Sequence, residues 1–409
     1  MDDTFKLLGP KLKMICEFLY DKKYVITPTD KNLGIVVSEQ TWILENTQEC
    51  LSNQQEYMKL DDMTAQLILD EQCNTMLLLS QHAEIFDWRY GSVSKFLSSK
   101  VTLPRTDHHI LCFYGILKIH KLPVKFQPIS PCHSMIQNPA AKFCLKRLKP
   151  LVEGALTIIH DTKDLAIKSS KLQLQPGQKF YIITGDVMAY YPSIPLWKCL
   201  DHVVDMYSEW FLNNEKERWY IKDFSAKETE FFKDCLEVSN MRLLTQFEDV
   251  TYQQLNGLAM GIADLSDLAN LYGWYCEWHD GVLQNSDIAF YRQYIDDCMG
   301  QIMQAAVNIN DCALTWSVDR HQLFLDIMLY IDEFNKLQHM PYHKPLLHQE
   351  RIPWISSHPL DVKKDMFYGE MSCLTMLSST QDHYLRAIWQ LVALYVKQDY
   401  PEKLVVSWK

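Results

Sequence analysis

With 409 residues, of which 47% are hydrophobic and 22% charged, the chain is long enough to bury the cores of two or three sub-domains, which excludes a disordered tail. Charged residues or proline interrupt its apolar runs well before the length of a membrane span, and its first residues lack the pattern of a signal peptide. Twelve cysteines occur without a Cys-x-x-Cys pair, so we expect reduced thiols in an intracellular protein and no structural zinc site.

Charge is distributed unevenly along the chain. The formal net charge is −11, yet nine basic residues and a single acid, Asp107, lie between Lys100 and Lys149. A local basic stretch can bind phosphate groups although the whole molecule is acidic. We expect nucleic-acid binding by the basic residues at the end of this stretch, with a merely solvated helix face as the alternative: Lys142, Lys146, Arg147 and Lys149.

The first part of the chain alternates helical and β-rich patterns. Hydrophobic spacing and turn residues predict, in order, a helix over 1–20, a β-hairpin over 24–37 with Lys31 at its tip, mainly helical structure over 40–100, and a basic helix from Asn138 to Lys149. The segments 113–121 and 126–130 resemble a pair of strands of a known family that is named below. Asn138 is predicted as the N-cap of that helix and Pro139 as its first residue.

The middle of the chain carries a strand that ends in an acid. Residues 179–183 are mainly apolar, β-branched or aromatic and lead into Asp186, after which a helix is predicted from about Pro195. Ser225 and Glu228 have the spacing of a capping box and predict a helix start. The sequence next predicts a hairpin over 243–254 and a helix from about Ser266. Between them a turn is predicted at Met260-Gly261, because glycine lets the backbone turn closely.

Two adjacent acids, Asp296 and Asp297, follow one apolar run and precede another, which predicts a strand, a tight turn and a returning strand. Two neighbouring carboxylates are unfavourable unless a positive charge lies beside them, and a divalent cation usually supplies it. Asp186 is the natural third ligand, since three aspartates at strand ends can hold two Mg²⁺ ions for an in-line displacement. The alternative is an ordinary exposed turn, where aspartate is common.

The last part of the chain predicts a strand over 323–327, in which we expect Asp326 to be structural, and then a helix over 381–396. The helix has an apolar stripe formed by Leu385, Ile388, Trp389, Val392 and Val396. Such a stripe is typical of packing against another element.

Several motifs together resemble those of reverse transcriptases. They are, in family order, Asp186-Val187-Met188-Ala189-Tyr190-Tyr191, Gly257-Leu258-Ala259-Met260-Gly261 with the following Ser266, Ala269 and Asn270, and Tyr294-Ile295-Asp296-Asp297. Four further motifs are most similar to those of the Penelope-like and related element-encoded or cellular enzymes: Thr29-Asp30-Lys31-Asn32-Leu33-Gly34, Lys118-Ile119-His120-Lys121, Phe324-Leu325-Asp326 and Ser357-His358-Pro359. The resemblance extends from about residue 22 to about residue 401.

The resemblance implies an α+β right-hand polymerase with fingers, a palm built on an antiparallel sheet flanked by helices, and a short helical thumb. It assigns 1–172 to an N-terminal extension and fingers, 173–335 to the palm, and 336–409 to the palm end and partial thumb. It implies RNA-directed DNA synthesis on an RNA or DNA template with a primer, from deoxynucleoside triphosphates and with two Mg²⁺ ions, Mn²⁺ being possible. A nuclear location is also implied.

Site residues follow from the same resemblance. Asp186, Asp296 and Asp297 are implied as catalytic acids, and together with the Val187 carbonyl as metal ligands. The implied nucleotide-binding residues include an aromatic gate against ribose at Tyr191 and otherwise lie in the fingers and at the glycine turn: Lys31, Lys118, Lys121, Gln127, Met260 and Gly261. The alternatives are that Tyr191 only packs in the palm and that Lys31 only occupies an exposed turn.

The sequence departs from the family pattern in the fingers, where Gln127 occupies the position of an arginine that binds the triphosphate with charge and paired hydrogen bonds. Other departures are Cys373 and Gln398 for Arg, Leu117 for Pro and Asp399 for Gly. All five are reachable by a single C-to-T or G-to-A codon change. A catalytically weak or inactive remnant of a retroelement polymerase, which only binds nucleic acid, is therefore the alternative to an active enzyme.

Overall fold

A computed structural model describes most of the chain. The described residues are 13–20, 23–30, 34–102, 110–119, 121–172, 181–214, 222–279, 281, 288–302, 314–342 and 351–409. Lys31 and residues 1–12 of the predicted first helix lie outside them, whereas residues 13–20 are helical.

Helices account for most of the described residues. Beyond residues 13–20 they are Gln40–Leu51, Asp62–Ala83, the 3-10 turn Glu84–Phe86, Asp87–Tyr90, Val93–Ser98, Asn138–Gly154, Thr162–Ser170, Tyr190–Ser193, Leu196–Asn213, Lys222–Asn240, Leu265–His279, Leu360–Met376, Gln381–Lys397 and Glu402–Trp408. Across the described part of the chain, none of them is both long and apolar enough to cross a membrane.

The strands are short and pair mainly with near neighbours in sequence. They are β1 (Tyr24–Pro28), β2 (Ile35–Glu39), β3 (Tyr57–Leu60), β4 (Leu111–Cys112), β5 (Tyr114–Lys118), β6 (Lys125–Ile129), β7 (Tyr181–Val187), β8 (Leu244–Phe247), β9 (Val250–Gln254), β10 (Ile288–Tyr294), β11 (Asp297–Ile302), β12 (Leu314–Asp319), β13 (His321–Phe324), β14 (Ile327–Ile331) and β15 (Leu337–Pro341).

The chain divides into two compact units, each made of two segments: 1–148 with 194–265, and 149–193 with 266–409. The first unit contains the antiparallel pairs β1–β2 and β5–β6 and a four-stranded sheet in the order β3-β9-β8-β4. Aromatic rings fill its helical part, where Tyr207 stacks on Phe232 with ring centroids 4.0 Å apart. The three-part division of the chain into fingers, palm and thumb stays a prediction.

The second unit is built on an antiparallel sheet in the order β10-β11-β7-β12 and a smaller one in the order β13-β14-β15. Side chains from both sheets share one core, which includes the fully buried Ile182, Met299 and Leu329. A second core joins the C-terminal helices around Phe367 and Tyr395. In both cores, burial of large apolar side chains determines which face of each element points inward.

Local patterns predicted the hairpins β1–β2 and β8–β9 and the helix Leu196–Asn213, and the family resemblance implied the strand pair β5–β6; the structure confirms all of them. The capping box at Ser225 is wrong, because the helix already begins at Lys222 and Ser225 lies inside it. Asn138 is the first helical residue of its helix, and its amide donates to the His133 carbonyl at 2.6 Å.

Two further predictions in the second unit need correction. The predicted strand over 323–327 is interrupted by a turn at residues 325–326, which joins β13 to β14 and in which Leu325 has a φ of 52°. Its Asp326 accepts from the Thr162 hydroxyl at 3.4 Å through the side chain. In the helix Gln381–Lys397, Ile388 and Val392 of the predicted stripe are buried and Val396 packs against the same core. Leu385 and Trp389 are 41% and 51% exposed, so this part of the predicted stripe lies outside the buried face.

The helix Gln381–Lys397 ends in a Schellman motif. The N–H of Asp399 donates to the Val396 carbonyl at 3.1 Å, and the N–H of Tyr400 donates to the Tyr395 carbonyl at 3.2 Å. The Tyr395 and Tyr400 rings add the usual apolar contact, with centroids 4.9 Å apart. Asp399 thus occupies the left-handed position that usually takes glycine, with a φ of 66°.

We predict that Asp399→Gly stabilises the protein by about 0.5–1 kcal/mol, because glycine adopts a positive φ without the steric cost that Cβ imposes. The midpoint of urea unfolding measures the change. Gln390→Gly, at an exposed interior position of the same helix, is the control and should destabilise by about 1 kcal/mol. An unchanged or lower midpoint for Asp399→Gly would contradict the prediction.

Candidate active site

The predicted acids meet across two paired strands of the second unit. Asp186 at the end of β7 is the direct register partner of Asp297 at the start of β11. The N–H of Val187 donates to the carbonyl of Asp296 at 2.9 Å, which fixes the next residue pair. Directly opposed residues in an antiparallel pair have Cα atoms about 4.5–5.5 Å apart and side chains on the same face. The register therefore brings all three aspartates to one edge of the sheet, meaning the side at which β7 ends and β11 begins.

The carboxyl groups at this edge are accessible. Asp186 is exposed, and Asp296 and Asp297 are half-buried. Carboxylate and carbonyl oxygens are the ligands that Mg²⁺ prefers, so the donor chemistry fits that ion. Among the described residues, however, no three His, Cys, Asp or Glu side chains already converge on one metal position. The strand register and the oxygen donors thus fit a metal site, whereas the described side chains in their present positions do not form one.

The turn before the acid pair is held from two directions. Ile295 has a φ of 54°, a costly conformation for a β-branched residue. Its N–H donates to the side-chain oxygen of the buried Asn270 at 2.9 Å. Its carbonyl accepts from the side-chain amide of Gln293 at 3.4 Å. These two contacts stabilise the backbone that presents Asp296 and Asp297.

One face of the helix Leu265–His279 lies along β10. Asn270, Gly273 and Glu277 are three and four residues apart, the spacing of one helical face. Their partners on β10 and the turn are Ile295, Gln293 and Tyr291, which alternate as residues on one face of a strand do. The helix consequently runs antiparallel to the strand and contacts it at regular intervals.

Gly273 is required at the centre of this contact. A Cβ atom there would lie 2.1 Å from the Gln293 side-chain nitrogen and 2.7 Å from the Tyr190 hydroxyl oxygen. Tyr190 is itself held, since its hydroxyl donates to the Ala269 carbonyl at 2.8 Å. Glycine therefore permits the close approach of helix and strand.

Tyr191, the predicted sugar gate, lies beside the acids. Burial raises the pKa of its hydroxyl, and the negative charge of Asp296 raises it further, whereas a hydrogen bond with Ser266 acts in the opposite direction. Its hydroxyl thus lies within electrostatic range of Asp296.

The predicted nucleotide-binding residues of the first unit that the structure describes lie on β5 and β6, in the connection between these strands, and at the glycine turn. The Gln127 side-chain nitrogen lies 3.2 Å from the Met260 sulfur, and its buried side-chain oxygen has no hydrogen-bond partner among the described residues. Gly261 has a φ of 123°, and a Cβ there would lie 2.7 Å from the Ser130 carbonyl oxygen. Lys118 is half-buried at the end of β5, directly opposite Lys125. Lys121 is exposed.

The basic side chains of the helix Asn138–Gly154 differ in their exposure to solvent. Lys142, Lys146 and Lys149 are exposed. Arg147 is directed into the first unit, where its guanidinium donates to the Glu228 carboxylate at 3.1 Å and to the Tyr207 hydroxyl at 2.8 Å. The exposed lysines, rather than Arg147, present charge to solvent.

Sequence reasoning missed the positioning contacts of Gly273, Gln293 and Glu277, and it gave Asn270 no role. The sequence feature that could have identified them is a pair of matching spacings: three and four residues along the helix, and two residues along the strand. That signal becomes visible only when the facing helix and strand are known.

The sequence matches no protein-family model and no curated protein. Among solved structures, it is similar to telomerase from Candida albicans in complex with a fragment of telomeric RNA, with a TM-score of 0.59, 11% identity, and coverage of 94% of this chain and 62% of that chain. Apo telomerase from Candida tropicalis, truncated from its C-terminal domain, gives a TM-score of 0.46 and 8% identity over 78% of this chain and 64% of that one. The RNA-dependent RNA polymerase of a human picorbirnavirus gives a TM-score of 0.45 and 11% identity over 71% of this chain and 55% of that one.

The chain thus has the α+β right-hand polymerase fold, and the fold predicted from the sequence is confirmed. It spans about three fifths of the length of the Candida albicans chain that it matches. At 11% identity the similarity establishes the fold alone.

We predict that Gly273→Ala destabilises the protein by about 1–3 kcal/mol, because a methyl group overpacks the helix against Gln293 and Tyr190. Gly369→Ala is the matched control, since Gly369 is also helical and its Cβ would meet no atom within 4 Å. The control should stabilise by about 0.4–1 kcal/mol. Urea unfolding of both variants measures the difference, and equal shifts would contradict a packing role for Gly273.

Proposed function

We propose that the protein is a template-directed nucleic-acid polymerase of the reverse transcriptase kind, which adds deoxynucleotides to a primer 3′-hydroxyl. The observation that carries the proposal is the pairing of Asp186 with Asp297 and of Val187 with Asp296, within a right-hand polymerase fold. The motifs of the sequence favour RNA-directed DNA synthesis. Assignment to the Penelope-like branch stays a prediction.

Asp186, Asp296, Asp297 and the Val187 carbonyl would hold Mg²⁺ or Mn²⁺ at the sheet edge. When bound, such ions supply Lewis-acid activation of the primer hydroxyl and charge neutralisation at the leaving pyrophosphate. The chain itself contributes a fixed backbone, since the Asn270 and Gln293 contacts hold the Ile295 turn that precedes the two acids. Placing the reacting groups in advance lowers the entropy cost of reaction.

Tyr191 would select the sugar. Its ring is half-buried, and its hydroxyl interacts with Ser266 and with the charge of Asp296, so the side chain has little freedom to move aside. A fixed aromatic group next to a metal-binding acid can exclude a 2′-hydroxyl and favour deoxynucleotides.

Phosphate groups would be bound in the first unit by Lys118 and Lys121, with Lys31 proposed from the sequence motif. Lys118 and Lys125 are directly paired, and like charges opposite each other are unfavourable unless an anion lies nearby. The exposed Lys142, Lys146 and Lys149 would contact the nucleic-acid backbone. Gln127, Met260 and Gly261 would border the nucleotide.

The second candidate function is nucleic-acid binding with little or no synthesis. The observation that favours it is Gln127, whose amide lacks the charge of the family arginine and contacts the Met260 sulfur instead. Loss of a charge-assisted contact weakens nucleotide binding without removing the acids.

We predict Mg²⁺- or Mn²⁺-dependent primer extension by the purified chain on an RNA or a DNA template. Asp296→Asn should lower the rate by roughly 100-fold or more, because a metal ligand contributes several kcal/mol to the transition state. Asp249→Asn, at an exposed turn of the β8–β9 hairpin, is the matched control and should retain the rate. Nucleic-acid binding without extension would favour the second function, and synthesis unaffected by Asp296→Asn would overturn the proposed site.

We predict that Gln127→Arg lowers the nucleotide KM by roughly 10- to 150-fold at similar kcat, since a hydrogen bond to a charged group contributes about 1.5–3 kcal/mol. Steady-state primer extension over a range of nucleotide concentrations measures both constants. Gln127→Leu, which adds no charge, is the control. A KM that does not fall in Gln127→Arg would show that this position does not limit nucleotide binding.

A further inference from the structure

A buried carboxyl group lies in the last turn of the helix that contacts the catalytic turn. Glu277 is 1% exposed. One of its side-chain oxygens accepts from the Tyr291 hydroxyl at 2.7 Å, and the other lies 3.4 Å from the Thr157 hydroxyl. Within the described residues, no lysine, arginine or histidine forms an ion pair with it.

The partners of Glu277 come from separate segments of the second unit. Thr157 lies in the segment beside β10, where its carbonyl accepts from the Gln293 N–H at 2.9 Å. The Gln293 carbonyl in turn accepts from the Ile159 N–H at 2.9 Å. Glu277 therefore connects the helix to β10 and to the segment that pairs with β10. That pairing is made at Gln293, two residues before Ile295.

The surroundings suit a neutral carboxyl group. An ionised carboxylate without a nearby cation is costly in the interior, whereas a neutral carboxylic acid can accept one hydrogen bond and donate another. Tyr291 supplies the donor, and the hydroxyl of Thr157 can act as the acceptor. Burial raises the pKa of Glu277 to about 8, in agreement with this geometry.

We propose that Glu277 is a positioning residue for the catalytic turn and that its carboxyl group performs this role in the protonated form, between Tyr291 and Thr157. The inference rests on the proposed function of that turn. Ionisation places an unpaired charge behind β10 and loosens the contacts that hold Gln293 and Ile295.

The titratable groups that face Glu277 are Tyr291 on β10 and Cys298 on β11. Burial raises the pKa of Cys298 to about 12 and raises that of Tyr291 as well. Glu277 therefore ionises first as the pH rises. Because its pKa is higher in the folded than in the unfolded chain, its contribution to stability is complete below the ordinary glutamate pKa of about 4.3 and is lost as the pH rises to about 8.

Glu277→Gln tests the proposal, because the amide keeps one acceptor and one donor but cannot ionise. Thermal unfolding midpoints of the wild-type chain should fall relative to those of Glu277→Gln between about pH 5 and pH 8. In primer extension, the ratio of variant to wild-type kcat should be near one at pH 7 and rise about tenfold at pH 9, where about nine tenths of a group with a pKa of 8 is ionised.

Two further variants separate positioning from simple stability. Glu209→Gln, at an exposed position, should follow the wild-type pH dependence. Tyr291→Phe removes the 2.7 Å contact without adding a charge, and it should lower kcat with little change in KM. Equal pH dependence of the unfolding midpoint in wild type and Glu277→Gln overturns the proposal, as does loss of activity in Glu277→Gln at pH 7.

The two proposals fail in different ways. A chain that shows the expected difference in unfolding midpoints but no primer extension contradicts the polymerase and supports the protonated Glu277. A chain that extends primers with the same pH profile in wild type and Glu277→Gln contradicts the role of Glu277 and supports the polymerase.

Discussion

The antiparallel register of β7 and β11 is the constraint on which the candidate site depends. Asp186 faces Asp297 because Ile182 faces Gln301 and Thr184 faces Met299 along the same pair. A slip by one residue would turn every side chain of one strand to the other face and expose Ile182 or Met299, both fully buried. Burying such a side chain contributes about 1.5–3 kcal/mol, so core packing determines the position of the acids.

A second constraint acts on the turn rather than on the strands. Ile295 has a backbone conformation that β-branched residues avoid, and it is held by contacts from Asn270 and Gln293. Gly273 allows the helix to approach closely enough for these contacts to form. Strain of this kind persists only where the surrounding structure fixes it, and it is frequent at functional sites. The unfavourable backbone conformation of Ile295 is therefore stabilised by the packing of the helix against β10.

Sequence reasoning located the strand ends, the acid pair and most hairpins, because these depend on local alternation and turn residues. It failed where tertiary packing decides. Leu385 and Trp389 fit a helical stripe, yet the buried face of their helix is centred on Ala387 and Tyr395, and the Trp389 ring instead contacts the Lys409 ammonium at 3.4 Å. The spacing of Ser225 and Glu228 favoured a cap, but the helix starts earlier. Likewise, the role of Asn270 depends on a residue 25 positions away in the chain.

The side chain of Gln127, the residue that departs from the family pattern, can change without affecting the fold. Gln127 lies on β6 opposite Ile116, and backbone pairing with β5 does not depend on its side chain. Its amide contacts the Met260 sulfur, a weak acceptor, so replacing an arginine by glutamine removes a charge without removing a contact that stabilises the first unit. Strand pairing and core packing within the second unit hold the ends of β7 and β11 that carry the acids. The charge at this position can therefore change while the chain retains both its fold and the arrangement of its carboxylates.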